Sequence, residues 1–79
     1  MKYVYILQSL SEEDRFYTGV TDDLRIRIRE HNAGQVLHTK KFRPWRVKTY
    51  IGFTNGDRAI AFEKYLKSAS GRAFAKKRL

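Results

Sequence analysis

Tyr5, Tyr17, Arg27, His31 and Glu63 are side chains whose types together suit one reaction, the hydrolysis of a phosphodiester. That reaction needs a positioned water, charge neutralisation at the phosphoryl oxygens and help for the leaving oxygen. A phenol can hold the water. An arginine offers a planar fork that donates to two phosphate oxygens at once. A carboxylate can hold a divalent ion that supplies the remaining charge. Taken alone, each of the five has a plainer reading. Buried tyrosines are usually core residues with one hydrogen bond, and a phenol of ordinary pKa near 10 is a poor base unless cations help. His31 alone suits a satisfied position at a helix end, and Glu63 an i,i+4 ion pair with Lys67.

The elements that must bring the five together can be read from periodicity. Residues 2–8 are β-branched and aromatic and predict a buried strand, and residues 15–20 predict a second. The polar stretch Ser9 to Asp14 between them predicts an antiparallel hairpin with a six-residue loop. Pairing then sets Tyr5 and Tyr17 on adjacent strands, where cross-strand neighbours approach within roughly 5 to 8 Å. Thr21 can cap a helix starting at Asp22-Asp23, and Gly34 should end it. On that helix Leu24 and Ile28 face the core, with Arg27 and His31 flanking them one turn apart, while Ile26 points elsewhere. Arg46 to Thr54 predicts a third strand. Thr54 and Asp57 resemble a capping box for a second helix running to about Ser68, with Ala59, Phe62, Leu66 and Ala69 as its apolar stripe. Gly71 is expected to end it, leaving a short basic segment. The order β-β-α-β-α predicts an α+β fold, a three-stranded antiparallel sheet flanked by helices.

Elimination among the eight acidic residues singles out one metal ligand. Glu12, Glu13 and Asp14 sit in the hairpin loop, Asp22, Asp23 and Asp57 serve helix starts, and Glu30 projects away from the Leu24-Ile28 face. Glu63 falls about 40° from Ala59, at the edge of a core-facing stripe. One carboxylate suits a single water-rich Mg²⁺ better than a two-metal site.

The chain has 79 residues, enough for one domain, with 17 Lys and Arg against 8 Asp and Glu for a net charge of +9. That charge favours polyanionic partners and salt-sensitive binding. There is no cysteine, which excludes disulfides and thiolate metal sites. No apolar run is long enough for a membrane span and no signal peptide opens the chain, so a cytoplasmic location and no membrane partner are expected.

Order and spacing together resemble the GIY-YIG nuclease superfamily, in its small stand-alone members. The first signature corresponds to Tyr3-Val4-Tyr5 and the second to Tyr17-Thr18-Gly19. Arg27 lies ten residues after Tyr17, His31 four beyond that, and Phe62-Glu63-Lys64-Tyr65 matches the metal-binding glutamate. Tyr50-Ile51-Gly52 spells the second signature literally, but ten residues after Tyr50 stands Ile60 and no arginine. The resemblance covers nearly the whole chain and implies a catalytic group of Tyr5, Tyr17, Arg27, His31 and Glu63. A phenol, Tyr5 or Tyr17, would orient or deprotonate the water and Arg27 would steady the phosphate. One Mg²⁺ or Mn²⁺ on Glu63 would offset charge on the leaving oxygen. Three departures stand out. Tyr3 replaces the leading glycine. Val20 stands where some repair-type members carry a lysine. Ser68 or Ser70 stands nearest to a helical asparagine found in many members.

The stretch Lys40-Lys41-Phe42-Arg43-Pro44-Trp45-Arg46 mixes cations and aromatics, which suits phosphate contacts and base stacking. Trp45 equally suits a core plug beneath a solvated loop. Arg72, Lys76 and Lys77 near the end are expected to add sequence-blind phosphate contacts. The function expected is therefore a metal-dependent endonuclease, acting on DNA in the first instance, with a protein partner for targeting and DNA repair among its uses. The alternatives are a non-catalytic nucleic-acid-binding domain on the same scaffold and a basic protein-interaction module.

Overall fold

A computed structural model describes residues 1–79. Strands β1 (Lys2–Ser9), β2 (Phe16–Thr21) and β3 (Trp45–Phe53) form one sheet in the order β2-β1-β3, with both pairings antiparallel. Helix α1 (Leu24–Asn32) follows β2, a 3₁₀ turn at Lys40–Phe42 precedes β3, and helices α2 (Gly56–Lys67) and α3 (Ala69–Arg78) close the chain. The α+β arrangement expected from the sequence is what the chain adopts. No helix is long and apolar enough to cross a membrane.

The central strand explains its own composition. Val4, Tyr5, Ile6 and Leu7 are all buried because helical structure covers both faces of β1. Val4 and Ile6 pack with Ala59 and Leu66 of α2, joined by Ala75 and Leu79 of the last segment. On the other face, Tyr5 and Leu7 pack with Trp45, Leu24, Ile28 and Phe42. Alternate residues of one strand thus serve two separate apolar layers.

Several helix boundaries move from where the sequence puts them. Asp23, not Thr21, caps α1, its carboxylate accepting from the Ile26 N–H, while the Thr21 hydroxyl accepts from the Asp23 N–H. Gly34 does take the left-handed conformation expected of a terminator, at φ 80°. Asn55, one residue past the expected Thr54, caps α2. Ala69 lies beyond α2 and is exposed, so the buried stripe of that helix is Ala59 and Leu66 with half-buried Phe62.

The largest correction concerns the end of the chain. Gly71 does not stop a helix; it lies inside α3, and the expected basic segment is helical. Ser68 ends α2 with extended backbone and caps α3, its hydroxyl donating to the Tyr65 carbonyl at 2.6 Å and accepting from the Gly71 N–H at 3.1 Å. A Cβ on Gly71 would overlap the Tyr65 carbonyl and the Leu66 Cα, so glycine is what lets the two helices meet so closely. Ser68 is thereby a helix cap, and Ser70 is exposed. Gly71→Ala is expected to lower stability by about 1–3 kcal/mol, a drop in Tm of roughly 10 °C for a chain this small. Thermal unfolding followed by circular dichroism checks this, and an unchanged Tm would refute the close approach.

Candidate active site

Gly19 is the residue around which the site is built. It pairs with Tyr5 across β1 and β2, and a Cβ there would overlap the Tyr5 hydroxyl and Cζ. The missing side chain lets the Tyr5 ring lie flat over β2 and carry its hydroxyl to the sheet edge. Tyr17 is the diagonal neighbour, opposite Leu7, with its ring centroid 6.5 Å from that of Tyr5. The two phenols meet as strand pairing requires.

His31 is fully buried, as are Tyr5 and Thr39. Its Nε2 lies 2.8 Å from the Tyr5 hydroxyl and its Nδ1 2.7 Å from the Thr39 hydroxyl. The Thr39 hydroxyl donates to the Val36 carbonyl at 3.4 Å, so it accepts from His31 Nδ1–H. That assignment leaves Nε2 as the acceptor for the Tyr5 proton. A directed chain, Tyr5 to His31 to Thr39 to the Val36 carbonyl, therefore fixes one tautomer and points the phenol proton inward. The Tyr5 oxygen keeps its lone pairs for the Arg27 guanidinium beside it.

Burial raises the Tyr5 pKa above its usual value, against the pull of Arg27, so Tyr5 is a protonated phenol at neutral pH. Burial and then the Arg27 charge push His31 down to about 4, so its ring is neutral. Arg27 also binds Glu30 at 2.9 Å, the pairing that does most to hold its charge. Glu30, set aside in the sequence by its direction, is thus Arg27's partner.

Glu63 comes to the same edge from α2, on the other face of the sheet. Its carboxylate is largely buried and pairs with Lys67 Nζ at 2.8 Å, the ion pair that the i,i+4 spacing suggests. The same ammonium lies 5.9 Å from the centre of the Tyr17 ring, so Lys67 bridges Glu63 and Tyr17. Glu63 is near enough for its charge to act on Tyr5. Val20 follows the second signature, and the cation beside Tyr17 comes from α2 instead, as Lys67. No group of three or more acidic or histidine side chains that could hold a metal is present; Glu30 is committed to Arg27 and Glu63 to Lys67.

All five residues expected to do chemistry therefore meet at the β2 edge, His31 and Arg27 from one layer and Glu63 from the other. His31 is fully enclosed, with its Nε2 held by the Tyr5 hydroxyl, so it presents no atom to solvent. Tyr50-Ile51-Gly52 lies on β3, the opposite edge, with Tyr50 exposed beside Tyr3. A small cleft of about 390 Å³ near Tyr3 and Asp22 holds none of the five.

The expected nucleic-acid contacts fall into two groups. Lys40, Lys41, Arg43 and Arg46 are exposed around the 3₁₀ turn, and Arg72, Lys76 and Lys77 are exposed on α3. Trp45 is corrected. It is 4% exposed, and its indole N–H donates to the Thr39 carbonyl at 2.8 Å, so it plugs the core and has no face for a base. Phe42 is half-buried under Arg15 and Lys41. Thr39 and Lys67 were missed. Thr39 lies in an irregular segment with no periodicity to mark it, whereas Lys67 was visible only as Glu63's helical partner.

The depressed His31 pKa has a thermodynamic sign. Between about pH 6.5 and 4 the unfolded chain takes up a proton that the folded chain refuses, so stability falls on acidification through that window. Below about pH 4 both states are protonated at this ring and its contribution to the slope ends. The whole contribution is about 3 kcal/mol. Following the His31 ring by NMR during acidification should show it neutral down to near pH 4. A ring that titrates at its ordinary value would overturn the assignment of the chain.

The profile of a family described as the GIY-YIG catalytic domain matches residues 1–78. A UPF0213 protein of Cupriavidus necator is 34% identical over 76 residues, covering 91% of this chain and 80% of that protein. The SLX1 structure-specific endonuclease subunit of Candida dubliniensis is 38% identical over 73 residues, covering 84% of this chain. Only 26% of that protein is matched, so this chain spans about a quarter of the subunit's length. The solution NMR structure of a UPF0213 protein from Bacillus halodurans superposes with a TM-score of 0.58 at 31% identity, over 96% of this chain and 81% of that one. A match that runs through almost every residue, seconded by relatives aligned over most of its length, makes this chain a member of the GIY-YIG catalytic-domain family.

Proposed function

We propose that residues 1–79 form one metal-dependent endonuclease domain that hydrolyses phosphodiester bonds in DNA. The observation that carries this reading is the meeting of Tyr17, Arg27 and Glu63 around the β2 edge, with Tyr5 fixed between them. Tyr17 is the phenol that orients the attacking water, since it is only half-buried and borders an open cleft. Tyr5 holds the edge in shape, because its proton is committed to His31. Arg27 meets the phosphate as a cation braced from behind by Glu30.

Glu63 suits a divalent ion of the hard, oxygen-loving kind. Its carboxylate is largely buried and is engaged by Lys67, a cation that another cation can displace. With Glu30 held by Arg27, Glu63 fits one Mg²⁺ or Mn²⁺ that keeps most of its water better than a two-metal cluster. Bound there, such an ion would supply charge stabilisation for the leaving oxygen. Lys67, once freed from Glu63, remains within reach of the phosphate backbone.

The printed name of the SLX1 relatives, a structure-specific endonuclease subunit, supports two finer assignments for this chain. It reads DNA structure in preference to sequence, and a protein partner targets it. The cytoplasm is the compartment assigned to it, and DNA repair is among its uses.

The experiment is cleavage of labelled single-stranded, duplex and branched DNA with Mg²⁺, with Mn²⁺ and with chelator. Cleavage is expected only with the ions. Glu63→Gln and Tyr17→Phe should each slow it about 10²–10⁴-fold while DNA binding in chelator stays unchanged. Glu63→Gln protein that cuts at the wild-type rate would end the proposal, and binding with no cleavage under any condition would favour a non-catalytic DNA-binding domain.

A further inference from the structure

A cleft of about 810 Å³ opens beside Tyr17, and phosphodiester chemistry alone does not account for it. Ile6 and Leu66 line it, and α3 contributes Arg72 and Lys76. Phe16 and Lys48 bring β2 and β3 to it. Arg15 and Lys67 also line it, so five cations surround it against one carboxylate, Asp14. Arg72 and Lys76 stand four residues apart on α3 and so share one face of that helix. Phe16 is 50% exposed, unusual for a phenylalanine in a strand, and Lys48 Nζ lies 5.1 Å from its ring centre.

These features fit one kind of occupant. Cations along a groove track a phosphate backbone, and an exposed ring beside them offers a stacking platform that any base can use. The volume lies within the roughly 300–1,000 Å³ of small-ligand pockets, enough for one or two nucleotides. A duplex does not enter such a space, since its major groove alone is about 12 Å wide. In a molecule 17 Å across its shortest dimension, paired DNA can only lie on the outside.

We propose that this cleft binds an unpaired stretch of polynucleotide next to the scissile phosphate. One base stacks on Phe16, the adjoining phosphates meet Arg72 and Lys76, and the strand leads to Tyr17. The proposal rests on the nuclease reading only for where the strand ends; the cleft's affinity is independent of cleavage. Its consequence is that the favoured substrate carries a single-stranded arm of at least one or two nucleotides at the cut.

The test uses the full chain in chelator, so that nothing is cut, and fluorescence anisotropy with a labelled twelve-residue oligo-dT, a blunt twelve-pair duplex and the same duplex carrying a two-nucleotide tail. The expected order places oligo-dT and the tailed duplex about tenfold or more tighter than the blunt duplex. Phe16→Ala should weaken oligo-dT binding by roughly tenfold and leave the blunt duplex unaffected. The Arg72→Ala, Lys76→Ala double variant should weaken oligo-dT and lower its salt slope by about 1.4, the share of two single-strand phosphates. All three residues are exposed, and an unchanged circular dichroism melt confirms that the variants fold. Equal affinity for the blunt duplex, an equal loss on both DNAs, or equal competition by poly-glutamate would overturn the proposal. Cleavage of blunt duplex with no preference for tails would sink it and spare the nuclease reading. Tail-dependent binding with no cleavage in Mg²⁺ or Mn²⁺ would do the reverse.

Discussion

The contact on which the rest depends is the Tyr5 ring lying across Gly19. It lets a fully buried aromatic on the central strand deliver its hydroxyl to the edge of the sheet. From that point the hydroxyl is held by His31, and His31 by Thr39, so three buried polar groups are all partnered. Buried polar groups of this kind are tolerated only when the whole set is satisfied. No buried side-chain nitrogen or oxygen lacks a partner in this protein. The edge is therefore stiff before any substrate arrives, as electrostatic catalysis requires.

Much of this was legible in the sequence, for physical reasons. The strands announced themselves because β1 is covered on both faces and must be apolar throughout, and Tyr5 and Tyr17 then followed from pairing. Arg27 and His31 were found because a four-residue spacing puts them on one side of a helix. Gly34 was read correctly because its position requires positive φ. Gly71 was misread because glycine also serves a second purpose, the close approach of two helices, which leaves no periodic trace. Trp45 fitted two roles equally in the sequence, and only burial with its indole N–H bonded decided between them. Thr39 was invisible, since its role comes entirely from a contact eight residues back, across an irregular turn.

Glu63 and Lys67 show how a local pattern can be right and incomplete. The i,i+4 ion pair that spacing alone suggests for Glu63 is present, beside the metal-ligand role expected of it. What the sequence could not show is that the pair faces Tyr17, with the Glu63 carboxylate largely buried and the Lys67 ammonium half-exposed beside the phenol ring.

The groups at the β2 edge come from two layers on opposite faces of the sheet that meet at Tyr17. Tyr5, Arg27 and His31 belong to the α1 layer, and Glu63 and Lys67 to the layer of α2 and α3. Partial opening of a protein proceeds by cooperative units, and the least stable open first. Detachment of either layer would scatter the five candidate residues while half the core stayed intact. Loss of activity on heating should then run ahead of the loss of helix, making catalysis the more sensitive thermometer of the two.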